Sequence, residues 1–168
     1  PRKYSFPAAE STLQLFDVTL DLPLIQQLYG ALCGNYIAWE SDRRDSTGLF
    51  WQKDDRDGME ISVAGFLSVD YTGYRPTINS YAYADASALA QMAHMLGNTG
   101  DETSWRAEAA RIKTLMDENL WDSEDDFYKV VPRFGDMSKA PAREQIGFIP
   151  WMYGIPDAEN TDHIWENK

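Results

Sequence analysis

The chain has 168 residues, 43% hydrophobic and 25% charged, which are the length and proportions of one soluble globular domain with a real core. Its formal net charge of -12 and pI near 4.4 disfavour nucleic acid and anionic membrane surfaces, because both need clustered Lys and Arg. A neutral or cationic small ligand is easier for such a chain to accommodate. No apolar run approaches the ~20 residues of a membrane helix. No signal peptide is visible, although a chain that starts at Pro1 is compatible with earlier processing. The single Cys33 excludes an internal disulfide framework and carries no information on compartment. Six Trp, nine Tyr and seven Phe are the more pointed signal. Sugars offer apolar C–H faces rimmed by hydroxyls, which suit aromatic rings beside carboxylates, though the same rings also build cores.

In chain order, Leu24, Ile25, Leu28, Leu32 and Tyr36 recur at helical spacing and predict a helix from Leu22 to about Ser41, with Pro23 in its first turn. The stretch from Glu40 to Thr77 has no period and is rich in Asp, Gly and Ser, so it reads as a long loop of functional type. Tyr81, Ala84, Ala88, Met92 and Met95 predict a second helix from about Ile78 to Leu96, stopped by Gly97. Trp105, Ala109, Ile112, Met116 and Leu120 predict a third, from about Thr103 to Leu120. The polar turn "GNTGDET" between them implies an antiparallel helical hairpin. "FYKVV" reads as a short strand, and "REQIGFIPWMYGIP" as a short helix ended by Pro150. The pattern is mainly α, without a fixed 20–50 residue repeat.

Metal and phosphate chemistry find little support. With Gly58 at position 6 of a calcium loop, Lys53 falls at position 1 and Ala64 at position 12, where oxygen ligands are required. His94, His163 and Cys33 are too few for a zinc site, and no Gly-rich loop has phosphate-binding spacing. No cofactor is expected. Neither histidine joins a Ser, His and Asp set. Carboxylates remain. Glycosidic hydrolysis needs one carboxylic acid to protonate the leaving oxygen and a second carboxylate to activate water or attack the sugar. The acid belongs among apolar groups that raise its pKa. In "QKDDRDGMEISVAG" (52–65) an acidic cluster runs into apolar sequence, and Glu60 stands between Met59 and Ile61. Asp57 is placed to bind substrate hydroxyls or to cap a turn.

"DGMEIS" (57–62), "RPTINSYAYADASALA" (75–90), "LW" (120–121) followed by "FYKV", and "REQIGFIPW" (143–151) occur in an order that resembles the catalytic domain of (α/α)6-barrel, or six-hairpin, glycoside hydrolases. The nearest groups are the glucosidases, mannosylglycerate hydrolases and trehalases. The resemblance covers about residues 20–157. It implies that Glu60 occupies the place of the general acid, usually an Asp in that group. It also implies that Arg75 and Asn79 bind sugar hydroxyls, and that Arg143 and Glu144 reach sugar or orient a catalytic group. Asp85 is either structural or functional. Trp39 and Trp51 are either stacking platforms or core.

The family's base, or its partner, is a Glu late in the domain, beyond the segment resembling "REQIGFIPW". Glu144 is the only base candidate within the chain. Twelve helices of ~11–12 residues with loops of ~4–6 need on the order of 200 residues. Residues 1–168 are therefore expected to be a single region, part of an (α/α)6 toroid built from helical hairpins and completed by other residues or another chain. The expected activity is inverting hydrolysis of a carbohydrate substrate. The alternative is a non-catalytic, truncated helical module that binds carbohydrate or a protein partner.

Overall fold

The computed structural model of the chain describes residues 4–58 and 61–157, and it is mainly helical. Its α-helices are α1 (Ala8–Thr19), α2 (Leu22–Arg43), α3 (Val63–Phe66), α4 (Pro76–Met95), α5 (Thr99–Asn119) and α6 (Ile149–Met152). Its strands are β1 (Trp51–Lys53), β2 (Thr72–Tyr74), β3 (Trp121–Asp122), β4 (Phe127–Tyr128) and β5 (Val131–Pro132). No described helix is long and apolar enough to cross a membrane.

Helix α4 organises the packing. Pro76 starts it, where a missing N–H is no loss. Its alanines Ala82, Ala86, Ala88, Ala90 and Ala93 are all buried, and they let α1, α2 and α5 approach on different sides. Helix α5 is the expected hairpin partner. Gly97, at φ +73°, turns the chain after α4. The Asn98 side chain then accepts the Asp101 N–H at 3.2 Å, so α5 begins at Thr99, four residues before the predicted start. Leu89, Met92, Ile112 and Met116 share one buried cluster with Ile25 and Tyr36 of α2.

Helix α1 was not anticipated. Pro7 precedes it without a side-chain cap; instead Asp85 of α4 supplies the acceptor, its Oδ1 taking the N–H groups of Ala9 at 2.8 Å and Glu10 at 3.0 Å. A cap delivered from 76 positions away leaves no local trace.

The loop predicted from Glu40 to Thr77 carries structure. Strand β1 pairs antiparallel with β2 (Trp51↔Tyr74, Gln52↔Gly73, Lys53↔Thr72), and β2 pairs with β5 (Tyr74↔Val131). Strands of three residues are too short to show a period of two, and their partners are distant. Pro132 sits on an edge strand, where its lost donor is harmless. "FYKVV" divides between β4, which pairs with β3, and β5 in the other sheet. Pro150 does not end its helix. It lies in the first turn of α6, which follows a 3-10 turn over Gln145–Phe148. There a proline starts a helix.

Candidate active site

The "DGMEIS" segment is anchored on both sides of the two residues that fall outside the described structure, Met59 and Glu60. On the near side Asp57 is fully buried, at 0% exposure. Its Oδ2 accepts the Arg75 Nε–H at 2.6 Å and also the Thr77 hydroxyl. Its backbone carbonyl accepts the Tyr81 hydroxyl at 3.2 Å. Burial, and then the Asp57 charge, push the Tyr81 pKa above its ordinary value, which keeps that hydroxyl a donor. On the far side Ser62 donates its N–H at 2.8 Å and its hydroxyl at 3.0 Å to Asp54.

Arg75 joins the two anchors. It is 1% exposed and sits at the turn from β2 into α4. Its Nη1 lies 2.6 Å from Asp54 Oδ1 and its Nε 2.6 Å from Asp57 Oδ2. Two carboxylates and one guanidinium are thus buried together with a formal charge of -1. Among the described residues, Asp57 Oδ1 and Arg75 Nη2 have no hydrogen-bond partner. The space beside the cluster is closed by Gly65, where a Cβ would collide with the Asp54 carboxylate.

Of the residues singled out from sequence, Asp57 and Arg75 are brought together. Asn79, at 0% exposure, has its amide committed to backbone. Its Nδ2 donates to the carbonyls of Phe50 (2.8 Å) and Arg75 (2.9 Å), and its Oδ1 accepts the Phe50 N–H at 2.9 Å. It splints the start of β1 to α4. Glu144 accepts the Val63 N–H at 2.7 Å and the Ala64 N–H at 3.4 Å, the first free donors of α3. It therefore fixes the helix that follows Ser62.

The others lie apart. Arg143 donates to the Asp125 carbonyl at 2.5 Å, at the β3–β4 turn. Trp39 is 8% exposed and belongs to the core cluster. Trp51 is half-buried beneath the guanidiniums of Arg133 (3.7 Å from the ring centroid) and Arg43 (4.5 Å). Asp54 and Thr77 were missed. The signal available for Asp54 was its position two residues after Gln52, which puts both on one face if the strand continues.

The sequence matches the family described as mannosylglycerate hydrolase MGH1-like glycoside hydrolase domain over residues 1–168. No curated protein matches it. The fold is similar to that of a solved structure described as a sialidase, with a TM-score of 0.85 and 34% identity. That similarity covers 92% of this chain and 14% of the other, so the chain spans only about one seventh of the length of that protein. The match over its whole length places the chain in the MGH1-like glycoside hydrolase domain family.

Proposed function

We propose that the chain supplies the general acid of an inverting glycoside hydrolase, with Glu60 as the acid. The observation that carries this reading is the buried Asp54–Arg75–Asp57 cluster. Arg75 ties Asp57, three residues before Glu60, to Asp54, which in turn holds Ser62, two residues after it. A catalytic acid must be held in a fixed geometry, and rigid anchorage at both ends of a short segment is the means. Asp57 and Arg75 serve this reading as positioning residues. Asn79 serves it through the backbone of Phe50.

This reading leaves the base unassigned. Glu144, the candidate within the chain, spends its carboxylate on two backbone N–H groups of α3, which favours a positioning role. The α4–α5 pair is read as one hairpin of an (α/α)6 toroid, with a carbohydrate as substrate. In an inverting site the two carboxyls stand ~6.5–9.5 Å apart, leaving room for the attacking water.

Glu60→Gln should abolish glycoside turnover while sugar binding, measured by calorimetry, persists. A variant that keeps most of its rate refutes the assignment. The non-catalytic reading is separated by the same experiment on the wild type, since it allows binding but no released sugar.

A further inference from the structure

Strand β1 has a second face. Gln52 and, just past the strand, Asp54 are buried, whereas Trp51 and Lys53 alternate to the opposite side. There the end of α2, β1 and the turn before β2 enclose an open groove of about 510 Å³, within the ~300–1,000 Å³ typical of small-ligand sites. Arg43, Lys53 and Arg56 line it against one acid, Asp70, with Trp51 and Tyr71 as aromatic walls.

Of the groove's cations, Arg43 lies over the ring of Trp51, which Arg133 also covers. Lys53 Nζ lies 6.0 Å from the Tyr71 ring centroid. Carboxylates that do not line the groove pair with its neighbour Arg133 (Asp45, 3.2 Å) and with Arg56 (Asp55, 3.2 Å). Burial lowers the Arg43 pKa; Asp42 opposes this, while Arg133 and Arg56 repel it and lower it further. Crowded like charges cost free energy, and a bound anion relieves it. The net charge of -12 disfavours anions over the chain as a whole, but the residues that line this groove include three cations and one acid.

We propose that the groove binds the carboxylate of an acidic sugar, with Arg43, Lys53 and Arg56 as its partners and the exposed Tyr71 as the surface for the sugar ring. Guanidinium forks match a carboxylate in plane, and an aromatic face matches the C–H face of a pyranose. Membership of a glycoside hydrolase family argues for a sugar over a bare anion. The assignment does not depend on Glu60, since Trp51 and Lys53 face away from the buried Asp54.

The test is calorimetric titration of the full-length protein with trigalacturonate and trimannuronate, with their methyl esters as uncharged counterparts and with sodium acetate as a bare carboxylate. At least one uronate trimer should bind, its ester at least tenfold more weakly. The double variant Lys53→Gln/Arg56→Gln should lose at least tenfold in affinity for the acid and little for the ester. Acetate should compete only at much higher concentration. Glu60→Gln should bind as wild type does, so failure of the acid assignment would leave this result standing. The proposal is overturned if neither trimer binds, if acid and ester bind alike, if the double variant binds normally, or if acetate competes as strongly as the trimer.

Discussion

Arg75 shows how a single side chain can decide a local structure. Among the described residues it is the only cation against two carboxylates in its buried cluster, so removing it leaves Asp54 and Asp57 uncompensated. Breaking one side of a buried ion pair costs ~3–5 kcal/mol. Arg75→Met should therefore lower the unfolding free energy by about that amount, read from urea denaturation followed by Trp fluorescence. A loss below ~1 kcal/mol, the scale of exposed pairs, would mean that the cluster is not the anchor described. At this scale the sequence was partly legible. Asp57 and Arg75 stood inside recognisable motifs. Asp54 did not, because its importance comes from Ser62 and Arg75, 8 and 21 positions later in the chain. Asn79 was legible as a special position, but the structure engages its amide with the Phe50 backbone.

Among the elements, the three long helices were visible in their apolar spacing, and a Pro at the start or a Gly at the end marked two of their boundaries. The strands and α1 were not, because their partners are remote. Helix α1 depends on Asp85, whose carboxylate burial pushes up to about 7, against the opposing hydrogen bonds from the N–H groups of Glu10, Ala9 and Ala8. An acid whose folded pKa is raised binds protons more tightly when folded. Its stabilising contribution is thus complete below the unfolded value of ~4 and is lost as pH rises through about 7. At ~1.4 kcal/mol per pKa unit, this one group is worth on the order of 4 kcal/mol across that window. Asp85→Asn keeps an acceptor for α1 and removes the charge. Denaturation at several pH values between 4 and 7.5 should show a shallower fall in stability for the variant than for wild type. Parallel curves would show that Asp85 does not titrate in this range.

On the scale of the whole molecule, a run of apolar side chains is exposed among the described residues. Ile61, Val63, Phe66, Leu67, Val69 and Tyr71 are all exposed within eleven residues, Phe66 at 71%. Monomers rarely leave such a stretch open. Residues 1–168 on their own should self-associate in the micromolar range in sedimentation velocity; behaviour as a monomer independent of concentration would count against this. The mainly helical class followed from periodicity, and the family from four motifs in order, whereas closure of a barrel lies beyond what periodicity within these residues reveals. The central claim is that Glu60 donates a proton to the leaving oxygen, and leaving-group dependence tests it most directly. In the full-length protein, Glu60→Gln should lose ~10²–10⁴ in kcat/KM on an alkyl glycoside, where the departing oxygen needs a proton. On the matching 2,4-dinitrophenyl glycoside, whose leaving group departs as a stable anion, the loss should be far smaller. An equal loss on both substrates would contradict the assignment.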